Sequence, residues 1–316
     1  MKMIVMSSWR AAMAVVAVPA LAALALTACG EDGSSSGASA GKIEVVAAFY
    51  PFAFVAEQVG GSDVTVEDLT RPGAEPHDLE LTPRQVNDVV QADLAIYLKG
   101  FQPAVDEAIE QNKPAHSLDV STVVPLDRPA LPEEGGEDAT KEHLAGDPHI
   151  WLDPTKLAAV TTAVGNQLAA VAPSHAADFR ARAQTLVSRL NQLDKELSDG
   201  LRSCRQKDFV TSHAAFGYFA DRYGLEQIAI AGLSPDEEPA PARIQQIQQE
   251  VRDRGITTIF FETLVSPDLA ETIARDTGAT AAVLDPIEGI KDPGRDDYFT
   301  VMRANLAALQ KALGPC

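Results

Sequence analysis

Six histidines are spread over 316 residues, and three of them stand in unusual company. His77 lies between proline and aspartate in "RPGAEPHD", His149 follows Asp147-Pro148 in "GDPHIWLDP", and His213 ends "DFVTSH". Neutral imidazole is a ready ligand for a divalent metal. A neighbouring proline narrows the local backbone, so that the ring is aimed rather than free to wander. The three are far apart in the chain, so a shared site requires the fold to bring them together. One loop histidine is ordinarily a surface residue; three in such turns point to a common ligand. His116 and His175 lack this setting, and His143 lies in an acidic stretch.

The elements that must position these residues alternate. From Ile43, "IEVVAAF", "DVTVEDL", "ADLAIYL" and "AHSLDV" read as strands separated by helical segments such as "TPRQVNDVVQ", with Thr82 as N-cap and Pro83 at its first turn. The rhythm resumes later with "DFVTSH", "QIAIAG", "TTIFFE" and "TAAVLD". Strands alternating with helices imply parallel βα units, whose ligands bind beyond the C-terminal ends of the strands. All three histidines fall in such places. Between the two runs, Phe179, Ala183, Leu186, Leu190, Leu193 and Leu197 recur at three and four residues. That stripe predicts a helix of about 28 residues, a rod of roughly 40 Å. Phe52, Phe54, Ala56 and Gly60 are echoed by Phe216, Tyr218, Ala220 and Gly224. The expected fold is therefore α/β: two similar lobes of parallel-type βα units joined by a long rigid helix. The N-terminal lobe is placed at 42–172, the linking helix at 173–203 and the C-terminal lobe at 204–316. Residues 127–147, acidic and without apolar period, read as a mobile loop containing His143.

Charge and termini bound the partners. There are 26 Lys plus Arg against 45 Asp plus Glu, a net charge of −19 that argues against nucleic acid or an anionic membrane surface. Lys2, Arg10, the apolar run "AAMAVVAVPALAALAL" and "LTAC" make residues 1–28 a secretory signal. Its Leu-Thr-Ala-Cys end resembles a bacterial lipoprotein signal, with Cys29 as the lipidated first residue and 29–41 as a Gly/Ser tether. Gly33-Ser-Ser-Ser-Gly37 matches a hydrolase elbow only literally, since it lies in that tether without a strand or helix beside it. Cys204 and Cys316 remain, and an oxidising compartment suggests a disulfide between them, with two reduced thiols as the alternative. Closing a loop on the order of 100 residues stabilises by up to about 4.7 kcal/mol.

Five segments then carry a family resemblance: "PGAEPHDLELTPRQVNDVVQADL", "DPHIWLDP", "TSHAAFGYFADRYGL", "TTIFFETLVSP" and "LDPIEGI". Together they resemble the zinc- and manganese-binding lipoproteins of ABC metal importers, the cluster A-I group, over about residues 43–316. The resemblance implies metal in the cleft between the lobes, with His77, His149 and His213 as ligands. It implies a fourth ligand from the C-terminal lobe, either Glu288, as in zinc-type members, or Asp285, as in manganese-type ones; some members leave the place to water. The heptapeptide favours Glu288. Manganese-type members carry glutamate where this chain has His213, which favours Zn²⁺ over Mn²⁺ as the cargo. The expected partners are a permease with a separate ATPase subunit, and the membrane through the lipid anchor; the chain itself is expected to be monomeric. Many zinc-type members carry a histidine-rich loop at 127–147; with His143 alone, no strong auxiliary site is expected here.

A zinc-dependent hydrolase is the rival class. It would need an open metal position and a nearby base, and the H-E-x-x-H helix is absent. Glu262 in "FFET" reads instead as a partner that orients a ligand histidine. P-loop and G-x-G-x-x-G patterns are missing too. An adhesin is a third class, for which the sequence offers no distinguishing feature. The expectation is an extracytoplasmic, lipid-anchored carrier that captures Zn²⁺ and is not an enzyme.

Overall fold

The structure, a computed structural model, describes residues 41–129 and 146–316. The expected signal segment 1–28, the lipidation residue Cys29, the tether up to residue 40, and residues 130–145 with His143 lie outside the described residues.

In the first half, β1 (Ile43–Ala47), β2 (Val64–Asp68), β3 (Leu94–Tyr97) and β4 (Ser117–Asp119) form a parallel sheet in the order β2-β1-β3-β4. Val45, Val46, Ala47, Leu94, Ala95 and Ile96 are buried, a continuous apolar run suited to strands covered on both faces. The connecting helices are α1 (Tyr50–Gly60), α2 (Pro83–Gln91) and α3 (Pro103–Asn112). Each has proline in its first turn, where the missing N–H costs nothing. Thr82 and Gln85 form a capping box at the start of α2.

Two antiparallel helices follow, α4 (Pro154–Val171) and α5 (Ala176–Leu201). The stripe expected on the rod is buried along α5, with Leu201 added at its end. Pro173, Ser174 and His175 form a separate short turn ahead of α5, because proline cannot continue the hydrogen-bonded ladder from α4. The second half contains β5 (Asp208–Thr211), α6 (Gly217–Tyr223), β6 (Glu226–Ala229), α7 (Pro241–Asp253), β7 (Thr258–Phe261), α8 (Asp268–Thr277), β8 (Thr280–Val283) and α9 (Tyr298–Leu313). Its strands are again parallel, in the order β6-β5-β7-β8. That is the permutation of the first sheet, and the Phe52 and Phe216 echoes both fall just after the first strand of their sheet.

The halves are not independent bodies. One apolar cluster runs from Val45, Phe52 and Leu94 through Leu186 and Leu193 of α5 to Phe219, Phe260, Tyr298 and Leu309. A smaller cluster under α7 and α8 serves the second sheet alone. Cys204 and Cys316 are joined by a disulfide that holds the chain end near the end of α5. Among the described residues no helix is long and apolar enough to cross a membrane.

The α4–α5 contact depends on Gly165, where an added Cβ would stand 2.8 Å from the Ala183 Cβ. Gly165→Val is expected to lower the unfolding free energy by about 1–3 kcal/mol through overpacking. Chemical denaturation of the wild-type and variant proteins measures it.

Candidate metal centre

Four side chains converge where strands of both sheets end. His77 lies in the loop after β2. His149 leads into a short turn, Ile150–Leu152, just ahead of α4. His213 is the second residue after β5, and Glu288 follows β8 in the segment leading to α9. Their nitrogen and oxygen donors all lie within 4.8 Å of one another. Glu288 Oε1 is 3.4 Å from His77 Nε2, 3.2 Å from His149 Nε2 and 3.2 Å from His213 Nε2. The Nε2 atoms of His149 and His213 face each other at 3.3 Å. A tetrahedral metal with bonds of about 2.0–2.1 Å has ligand–ligand edges of about 3.3 Å. His149, His213 and Glu288 have no solvent exposure, while the His77 side chain keeps 9%.

Outer partners decide which ring nitrogens are offered. His149 Nδ1 donates to Asp147 Oδ1 at 2.8 Å, and the same oxygen accepts from the His149 backbone N–H at 3.0 Å. His213 Nδ1 donates to Glu262, which also accepts from Ser212 Oγ. With each Nδ1 committed as a donor, Nε2 is left with its lone pair pointing inward. Two such lone pairs and an ionised carboxylate at this range repel one another unless a cation or shared protons stand between them.

The titration behaviour follows the same logic. Burial would push the Glu288 carboxyl up, yet the facing His213 charge and hydrogen bonds from the three imidazoles hold it well below its ordinary value. Burial would lower His213, but the charges of Glu262 and Glu288 outweigh it and raise that ring well above its usual range. His149 is raised on balance: burial opposes, and hydrogen bonds to Asp147 and Glu288 prevail. His77 is lowered by its burial, against the pull of Glu288. Glu75, beside His77, is pushed up to about 8 by burial and then by the Glu288 charge. A site that draws protons onto imidazoles around an ionised carboxylate is one in which protons stand in for a metal cation.

The family profile described as "Zinc-uptake complex component A periplasmic" (ZnuA) matches residues 45–312. The chain belongs to the ZnuA family. The zinc-binding protein AdcA of Streptococcus pyogenes is 36% identical over 289 residues, covering 85% of this chain and 56% of that protein. The chain thus spans little more than half the length of the AdcA proteins it matches. The high-affinity zinc uptake system protein ZnuA of Bacillus subtilis is 30% identical over 301 residues, covering 91% of this chain and 93% of that one. Among solved structures, the laminin binding protein Lmb of Streptococcus agalactiae, a bifunctional protein with adhesin and metal transporting activity, superposes with a TM-score of 0.76 at 30% identity. That match covers 85% of this chain and 99% of Lmb. Zn(II)-bound AdcA of Streptococcus pneumoniae gives a TM-score of 0.72 at 33% identity, over 86% of this chain and 58% of that one.

Of the two carboxylates weighed for this ZnuA-family cleft, only Glu288 joins the histidines. Asp285 is turned away: its Oδ2 accepts from Thr263 Oγ1 at 2.7 Å and its Oδ1 from the Ile287 N–H at 2.8 Å. It acts as the turn residue that Pro286 after it suggests. Glu262, expected to orient a ligand histidine, sits on His213. Several positioning residues escaped the sequence reading. Gln102 Nε2 donates to Thr70 Oγ1 and to the Pro76 carbonyl, both at 3.1 Å, and so fixes the loop that carries His77. Trp151, fully buried, donates from Nε1 to the Pro286 carbonyl at 2.7 Å, tying the His149 turn to the Glu288 segment. Asp147 had one visible signal, its place two residues before His149.

Removal of the Asp147 carboxylate frees the His149 ring to rotate or change tautomer. Asp147→Asn is expected to weaken metal binding roughly 10–100-fold, read by competition with a chelator. The pH dependence of the metal-free protein follows from the shifts. The raised His213 and His149 contribute stability that is complete below their unfolded value of 6.5 and lost as pH rises through the raised ones. The depressed Glu288 contributes stability present above its unfolded value of 4.5 and lost as pH falls through the folded one. His77, lowered, works against the other two rings. Thermal melts of metal-free protein are therefore expected to peak in the mildly acidic range and to decline into mild alkali.

Proposed function

We propose that this ZnuA-family protein is the extracytoplasmic receptor of a zinc importer: it captures Zn²⁺ and hands it to an ABC permease without transforming anything. The observation that carries this reading is the closed set of three imidazole nitrogens and one carboxylate oxygen at tetrahedral spacing. His77, His149 and His213 through Nε2, and Glu288 through Oε1, would be the ligands. Three neutral imidazoles and one carboxylate leave a net single positive charge, which Asp147 and Glu262 behind the rings offset. Nitrogen-rich donation suits zinc, whereas manganese prefers more oxygen. The names of the relatives, zinc-binding and zinc-uptake proteins, point the same way. Four enclosed donors leave no open position for an attacking water, which argues against a zinc hydrolase.

In this reading residues 1–28 direct export, acylated Cys29 anchors the chain at the outer face of the membrane, and the tether 29–41 lets it range. Lobes at 42–172 and 204–316, linked through 173–203, present the cleft, and a monomer docks on the permease while a separate subunit hydrolyses ATP. The Cys204–Cys316 bond suits an oxidising compartment. Because one apolar core runs through both halves, wide parting of the lobes would expose buried surface, and release is assigned to local movement of the ligand segments.

Equimolar Zn²⁺ and Mn²⁺ offered to the metal-free protein are expected to yield the zinc form, measured by elemental analysis after desalting. His77→Ala, His149→Ala and His213→Ala combined should abolish tight capture while the fold persists by circular dichroism. Manganese occupancy, or zinc retained by the triple variant, would overturn the reading.

A further inference from the structure

Between its anchored start and the Glu288 carboxylate, the chain passes through Ile287, whose φ of 57° lies in the left-handed region. Among the described residues the other non-glycine with positive φ is Lys113, at the C-cap of α3, where such a conformation ordinarily ends a helix. A β-branched side chain tolerates it least. Ile287 is fully buried, and its conformation is held from both sides. Upstream, Asn305 on α9 accepts from the Asp285 N–H at 2.9 Å and donates to the Asp285 carbonyl at 2.7 Å. The Asp285 side chain takes the Ile287 N–H, and Trp151 holds the Pro286 carbonyl. Downstream, Gly289 is closely approached: a Cβ there would lie 3.3 Å from the Ala74 carbonyl oxygen and from Leu264 Cδ1. A strained backbone persists only where its surroundings over-determine it in this way.

We propose that Ile287 is a positioning residue for metal capture and release. Its left-handed backbone aims Glu288 at the three imidazoles, and its strain is relieved when Glu288 swings out, so the carboxylate is the ligand that lets go first. The inference rests on the reading of Glu288 as a zinc ligand. His149 and His213 are each locked from behind by a carboxylate and Gln102 fixes the loop that carries His77, which leaves the Glu288 segment as the ligand arm carrying its own restoring force. The anchored Asp285–Pro286 pair is the fixed point about which the arm turns.

The test compares Ile287→Val, Ile287→Ala and Ile287→Gly with the wild-type full chain, following zinc loss to an excess of fluorescent chelator and, separately, the Tm of the metal-free form. Left-handed strain falls in the order Ile and Val, then Ala, then Gly. Zinc is expected to leave Ile287→Gly about tenfold more slowly than wild type, with Ile287→Ala between them and Ile287→Val unchanged. Packing runs the opposite way, so the same series should fall in Tm. A side chain that merely filled space would lose zinc faster as Tm dropped; that result, or equal rates throughout, overturns the proposal. Should Ile287→Gly fail to fold, Ile287→Ala against Ile287→Val makes the same comparison. In a Glu288→Ala background the rate difference should vanish, and its survival would overturn the proposal. If Glu288→Ala alone leaves zinc affinity unchanged, the assignment of Glu288 as a ligand fails first and takes this inference with it.

Discussion

A carboxylate with no contact with water lies at the centre of this molecule, and the rest of the structure is arranged around making it tolerable. Burial alone would protonate Glu288. Three imidazoles prevent that, and two of them hold their inward orientation only because Asp147 and Glu262 grip their outer nitrogens. The arrangement is therefore layered: negative charge at the centre, rings around it, negative charge again behind the rings. Each layer is unfavourable without the next, since an unpaired buried ion costs several kcal/mol. A divalent cation placed among the four donors satisfies all of them at once.

The fold supplies this layering by presenting strand ends. Each sheet has its first strand in an interior position, and each delivers its loops from the carboxyl edge. Two donors come from the half before α4 and two from the half after α5, so neither half holds a complete set. The Trp151–Pro286 bond and the Tyr298 hydroxyl, which donates to the Trp151 carbonyl at 2.7 Å, fasten the contributions of the two halves to each other. The continuous apolar core does the same on a larger scale.

Much of this was legible in the amino-acid sequence, for identifiable reasons. Apolar runs bounded by glycine and proline mark the buried strands, and the three- and four-residue recurrence from Phe179 to Leu197 marks α5, because one stripe of that helix is buried. His77, His149 and His213 stood out because each sits in a turn, His77 and His149 beside proline and aspartate and His213 at the end of a strand. The choice between Glu288 and Asp285 was legible only as a leaning to Glu288 from the LDPIEGI heptapeptide, because three residues apart in a loop both lie at the right strand end, and only backbone direction separates them. That direction depends on the φ of Ile287, which no side-chain preference announces. Gln102 and Trp151 were invisible for a different reason: their partners are backbone carbonyls, which every residue has. Asp285 looks like a ligand in sequence and is a turn-former in space.

The order in which the donors occur along the chain has a consequence for biosynthesis. Ribosomes make proteins from the amino end, and early segments begin to fold first. Here the last donor is Glu288, and Asn305, which steadies the segment that presents it, comes later still. A chain that stops short of Glu288 carries the histidines made before it but not the carboxylate, so it lacks one of the four donors. The complete set of four donors is thereby reserved for molecules whose synthesis is all but finished.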